Sequence, residues 1–238
     1  IGQDLSGKTL VVVTEQSIGE ILLFIRFAKQ LALEGVKIII MTQGDLKKIF
    51  EAQKWINKVI SYEDDIPDCD FYTYLLSIPK VLEWEPKMDT QAHPYLEIAK
   101  ENFSETLPDK KNIGYLLNSD MNSPGSRQTV IPEKDINDLI TDTRFNFINL
   151  FEIKDIDLLA SVIQNLDLVI CIESDLAYLA GSLNIPTYLI LSALPKHFWD
   201  LNYKNSSPWY PSLELFRQET ANDWSDIINR IKGRITDV

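Results

Sequence analysis

Residues 166–191 read LDLVICIESDLAYLAGSLNIPTYLIL, and this stretch decides the fold because it holds a strand, a helix start, a helix and a second strand. Residues 167–171 form a short apolar run rich in β-branched side chains. Ser174 then stands where an N-cap belongs, with Asp175 in the first helical turn. Leu176, Leu179, Ala180 and Leu183 recur at three- and four-residue spacing, and Asn184 and Pro186 close the helix before TYLIL resumes as a buried strand. The product is a β-α-β unit. In an open parallel sheet, ligands bind in the crevice outside the carboxyl ends of the strands, where a helix N-terminus offers unpaired N–H groups to an anion. Glu173, Ser174 and Asp175 sit at that point, although plain capping accounts for Ser174 and Asp175 without any ligand.

The same alternation extends upstream. Residues 8–14 (KTLVVVT) are a β-rich run leading into a polar turn, after which Ile18, Ile21, Leu22, Ile25, Ala28 and Ala32 form one helical face ending at Gly35. A second buried strand (36–42), a short helix (45–52) and a third strand (58–61) follow. Parallel strands with helical crossovers are the architecture such alternation predicts. The acidic segment 62–70 contains Asp68-Cys69-Asp70, a superficial match to the Asp-x-Asp of metal-dependent sugar transferases, but the strand at 71–76 makes it a loop end that caps the strand. Ser77-Ile78-Pro79 reads as a turn into a short helix facing the same crevice.

Residues 83–94 read as a loop, 95–103 as a helix and 107–111 as a linker, so a first domain ends near 108. A second alternation follows: a strand (112–117), a polar loop (118–127), a helix (133–140), a strand (145–150) and a helix (155–166) feeding the opening unit. In that polar loop Asn118, Ser119 and Arg127 either hold a phosphate, with Arg127 supplying a fork of donors, or form a solvated turn. The loop of about twenty residues after Leu191 carries Lys196, His197, Phe198, Trp199, Trp209 and Tyr210, which suit either a base and phosphate or a satellite core. Residues 221–235 form an amphipathic helix.

Composition sets outer limits. With 238 residues and 45% hydrophobic content, the chain buries a substantial core and accommodates two small domains. A formal charge of −12 is unsuited to gripping a phosphate backbone, so nucleic acid is not an expected partner. Cys69 and Cys171 read as buried apolar residues rather than a disulfide or a zinc site, which suits a reducing compartment. No apolar run is long enough to span a membrane and no secretory leader opens the chain, so the expectation is a soluble, cytoplasmic protein. Because it opens on Ile1 rather than Met, it reads as a fragment or a processed chain.

Several motifs in order resemble one bacterial family. Glu15-Gln16-Ser17-Ile18-Gly19-Glu20 is similar to a Glu-Gln-Gly-x-Gly-Asp signature, Ser77-Ile78-Pro79 to Ser-Leu-Pro, Pro94-Tyr95-Leu96 to Pro-Tyr-Leu, and Leu166-Asp167-Leu168-Val169-Ile170 to Leu-Asp-Leu-Val-Ile. Ser207-Pro208-Trp209-Tyr210-Pro211, Leu215-Phe216-Arg217-Gln218 and Asp223-Trp224 complete the set. The family is that of GT-B-fold glycosyltransferase-like domains related to lipopolysaccharide heptosyltransferases, often preceded by tetratricopeptide repeats. The resemblance implies an α/β fold of two Rossmann-like domains with parallel sheets facing a central cleft. It implies residues 1–108 on the acceptor side, 109–218 on the nucleotide-sugar side, and a final helix (219–238) packing back toward the first domain.

The implied activity is transfer of a sugar from a nucleotide-diphosphate donor to an unknown acceptor, without metal or cofactor. Glu20 would be the general base. Asn118, Ser119, Arg127, Glu173, Ser174, Asp175, Tyr178 and Lys196 would line the donor site, and Gln16, Ser17, Gly19 and Ser77 the acceptor side. The chain departs from the family where Asp-Thr-x-x-Ala-His becomes Glu173-Ser174-Asp175-Leu176-Ala177-Tyr178, and where Glu20 replaces Asp. Asp175 also puts a negative charge at the helix end that should receive a diphosphate. The alternative is therefore a degenerate, inactive domain kept as a binding or interaction module, in which Asp175 or Tyr178 fills the donor pocket.

Overall fold

The computed structural model describes residues 4–84, 93–118, 131–195, 198–199 and 204–236. Its first sheet contains β1 (Thr9–Val13), β2 (Lys37–Met41), β3 (Ile56–Ile60) and β4 (Phe71–Tyr74), all parallel, in the order β3-β2-β1-β4. The helices α1 (Ile18–Leu33) and α2 (Gly44–Glu51) make the crossovers, and a 3-10 turn (Leu75–Ser77) runs into the single turn of α3 (Ile78–Val81). Strand alternation divides the sheet cleanly. Leu10, Val12, Ile38 and Ile40 join the helices in the main core, whereas Val11, Ile39, Met41 and Ile60 form a small separate cluster on the other face. Gly35 adopts φ 90°, which lets Val36 N–H reach back to Leu31 O and turn the chain from α1 into β2.

The second sheet contains β5 (Lys111–Leu116), β6 (Phe145–Asn149), β7 (Leu168–Ile172), β8 (Thr187–Leu191) and β9 (Leu213–Arg217) in the order β6-β5-β7-β8-β9, again all parallel. Connecting helices are α4 (Glu133–Ile140), α5 (Ile156–Ile163) and α6 (Asp175–Ser182), and α7 (Trp224–Ile235) follows β9. The strands β7 and β8 are buried along their whole length, as a sheet covered on both faces requires. On one face Val169, Cys171, Leu189 and Leu191 pack with α5 and α6, and on the other Leu168, Ile170, Ile172 and Ile190 pack with α4 and α7.

Four expectations change. Residues 95–103 are not helical, because their backbone donors are taken by tertiary partners: Tyr95 N–H bonds Ser182 O at 3.2 Å, and Glu97 and Gln53 exchange two hydrogen bonds at 2.8 and 2.9 Å. Residues 213–217, which the sequence pattern assigns to no element, are the strand β9. Cys69 is exposed, while Cys171 is buried. The terminal helix α7 does not cross to the first half, since Trp224, Ile227, Ile228 and Ile231 bury against Ile136, Leu139 and Phe216 of the second. Ion pairs from Lys232 to Asp138 at 2.8 Å and from Arg234 to Glu214 at 3.2 Å fix it there.

Candidate functional site

At the carboxyl end of β1 the chain turns through Glu15 and Gln16, the latter exposed at φ 71°, into the N-terminus of α1. Ser17 is the N-cap and Glu20 completes a capping box, its Oε2 accepting from Ser17 N at 3.1 Å and from Ser17 Oγ at 2.8 Å. The carboxylate expected to act as base is thus a helix cap in this structure. Glu15 bridges to the end of β4, where its Oε1 accepts from Leu76 N at 3.3 Å, next to the exposed Ser77.

The N-terminus of α6 lies opposite. Ser174 occupies the N-cap position but makes no capping bond, its hydroxyl donating instead to Ile172 O at 3.1 Å. Asp175 Oδ1 accepts from Gly19 N at 2.9 Å, so one carboxylate spans the N-termini of α1 and α6. Both helix ends carry partial positive charge, which is the environment an anion seeks. Here the chain's own Asp175 is that anion.

Tyr178, one turn further along α6, fills the space beneath. A Cβ on Gly19 would meet Tyr178 Cδ2 at 2.5 Å and Asp175 Oδ1 at 2.9 Å, so glycine is required for the two helices to approach. The ring is 3% exposed and also faces Trp199, with centroids 5.3 Å apart. Burial, and then the carboxylates of Glu173, Glu20 and Asp175, push its phenol well above the ordinary tyrosine range, so it stays neutral. The carboxylates of Glu173, Glu20 and Asp175 are thus near enough to act on Tyr178, at the helix ends where the family resemblance implies a diphosphate. Among the described residues no group of three or more His, Cys, Asp or Glu side chains is placed to hold a metal ion.

The structure thus brings together Gly19, Glu20, Glu173, Asp175 and Tyr178 from the expected set. Asn118 is exposed just past β5, and Ser119, Arg127 and Lys196 lie outside the described residues. The aromatic residues after β8 belong to the core. Trp199 and Tyr210 are buried, and Trp209 stacks on Trp84 at 5.0 Å while its indole N–H donates to Phe198 O at 3.0 Å. A cavity of about 240 Å³ adjoins Ile18 and is walled by Lys48, Lys154, Asp45 and Asp155. Its residues come from the starts of α2 and α5, distant in sequence, so no local motif announces it.

Arg26 was not flagged by the sequence and is 3% exposed. Its guanidinium donates to Leu23 O at 2.9 Å, Trp209 O at 2.8 Å and Tyr95 Oη at 3.2 Å. It also lies over the rings of Tyr95 and Tyr210 at 4.5 and 4.8 Å. The Pro-Tyr-Leu and Ser-Pro-Trp-Tyr-Pro motifs consequently converge on α1 as a clamp between the halves.

No known family profile matches the sequence, and no curated protein does. Solved structures do match. A glycosyl transferase family 9 protein from Veillonella parvula aligns over 97% of this chain and 90% of its own, with TM-score 0.65 and 12% identity. Escherichia coli heptosyltransferase II aligns over 96% and 98%, with TM-score 0.59 and 11% identity. The E. coli heptosyltransferase WaaC, solved with ADP-2-deoxy-2-fluoro heptose, aligns over 96% and 99%, with TM-score 0.61 and 12% identity. The chain has an α/β fold of two parallel sheets, the GT-B architecture of the heptosyltransferases.

Proposed function

We propose that this chain is a heptosyltransferase-like GT-B domain that keeps the fold as a binding module and has given up sugar transfer. The observation that carries this is the Asp175 carboxylate held by Gly19 N–H at the meeting of the two helix N-termini. A donor diphosphate needs those same N–H groups, and it would arrive beside Glu20, Glu173 and Asp175. The capping box, which ties Glu20 Oε2 to Ser17 at the helix end and leaves only Oε1 for an acceptor hydroxyl, supports the same conclusion.

Catalysis is favoured by one observation, the position of Glu20. Its carboxylate is partly exposed and close enough to α6 to act on the Tyr178 phenol, and a metal-independent transferase using a nucleotide-diphosphate sugar needs such a carboxylate as its base. Calorimetric titration with ADP, UDP, GDP and their sugar conjugates separates the two functions. The wild type is expected to show no saturable binding up to about millimolar ligand, and Asp175→Ser to gain binding of a nucleoside diphosphate. Saturable binding of one nucleotide sugar by the wild type, with transfer abolished by Glu20→Gln, would overturn the module and establish the transferase.

A further inference from the structure

The first sheet stops at β4, and among the described residues no strand pairs with its outer side. Asp70 N–H donates to Thr9 O at 3.0 Å, so by the alternation of a parallel ladder Tyr72 and Tyr74 also turn their amides toward β1. The amides and carbonyls of Phe71 and Thr73 then face outward. The strand has no lysine, proline or bulge, the devices that normally blunt an edge.

Side chains on both faces suit an added strand. Alongside β4 runs a groove of about 440 Å³ whose floor and walls include Leu10, Leu31, Phe71, Ile78 and Leu82, with Asp4 and Glu34 at its rim. On the opposite face Tyr72 and Tyr74 are 72% and 52% exposed, although their cross-strand neighbours Val11 and Val13 are buried and half-buried. The segment leading into β4, SYEDDIPDCD at 61–70, has no basic residue and carries Glu63, Asp64, Asp65 and Asp68 in addition to Asp70, which is paired with Lys8 at 3.1 Å.

We infer that this edge is a docking site for an extended, basic segment of a partner protein, which adds to β4 as a further strand. Its apolar side chains enter the groove, and its Lys or Arg side chains meet the acidic rim. A second copy of this chain fits less well, because two molecules each of charge −12 would bring like-charged rims together. The groove lies at the Leu31 end of α1, remote from Gly19 and Asp175, so this inference does not rest on the state of the donor site.

The test is fluorescence anisotropy of the whole chain with a labelled peptide of about ten residues alternating valine and lysine. Two peptides serve as controls: one with glutamate for lysine, and one N-methylated along one edge. Saturable binding by the lysine peptide, weakened about tenfold or more by N-methylation and by Thr73→Pro, is expected. Val81→Lys, which places a cation on the groove wall, should weaken it similarly without lowering the melting temperature, and it stands in should Thr73→Pro fail to fold. Equal binding of the N-methylated or glutamate peptide, or no binding at about 1 mM, would overturn the inference. So would a chain dimer in sedimentation that Val81→Lys dissolves, since that gives the edge to a second copy.

Discussion

Replacing Arg26 by methionine keeps the length and apolar stem of the side chain and removes only its donors and charge. Leu23 O lies inside α1 and retains a helical partner, but Trp209 O loses the bond that Arg26 Nη1 supplies at 2.8 Å. Leaving this part-buried carbonyl without its partner costs about 1–2 kcal/mol, the lower part of the range for a fully buried group. Loss of the cation from the faces of Tyr95 and Tyr210 adds about 1–2 kcal/mol, offset in part because methionine needs no desolvation of a charge. The net expectation is a loss of about 1–3 kcal/mol in urea unfolding followed by tryptophan fluorescence, with Arg26→Lys intermediate. Tyr95→Phe should cost less alone, because Leu22 O, which accepts from Tyr95 Oη at 2.7 Å, lies inside α1 and keeps its helical partner, and a double-mutant cycle with Arg26→Met should show coupling of about 1 kcal/mol. An Arg26→Met midpoint within about 0.5 kcal/mol of wild type, or full additivity in the cycle, would refute the clamp.

Gly19→Ala should destabilise by about 1–3 kcal/mol in the same assay, because its Cβ meets the Tyr178 ring, and Tyr178→Ala in the same chain should relieve the clash. Gly181→Ala drives a Cβ into the ring of buried Tyr210 and should lower the melting temperature, an effect absent at Gly233, where a Cβ meets open space. Asp142, held at about 2 chiefly by its hydrogen bonds with Arg144, and Asp70, held low by Thr9 N–H and Lys8, have folded values below their unfolded value near 3.8. Their contribution is present above that value and is lost as pH falls from about 4 toward 2, so acid urea midpoints should drop over that window and Asp142→Asn should flatten the drop.

Much of the fold was legible because periodicity reports burial. Residues buried on both faces, as in β7 and β8, gave continuous apolar runs, and α1 gave a clear stripe. The strand β9 was harder to see, since Leu213, Leu215 and Phe216 are interrupted by Glu214 and Arg217 and follow an irregular loop. Residues 95–103 had helical composition, but their amides found Ser182 and Gln53, partners that no local window contains. At the site, Ser17, Gly19 and Glu20 were placed by motif, yet the role of Glu20 as a cap depends on one rotamer. The bond from Gly19 to Asp175 joins residues 156 positions apart, and nothing local encodes it. Arg26 was missed because a lone arginine on a helix looks like a solvated one until the aromatic rings around it are known.

The main core runs without a break from Leu22, Ile25 and Phe27 of the first half to Leu176, Leu179 and Tyr210 of the second. Two sheets that each could have been a body in their own right are thereby welded along α1 and α6, with Tyr95 and Leu96 as the seam. A jaw needs a wet, weakly held joint, and this joint is dry and aromatic. A joint of that kind couples the two halves, so a single melting transition is expected, lowered alike by a lesion at Gly19 and by one at Gly181.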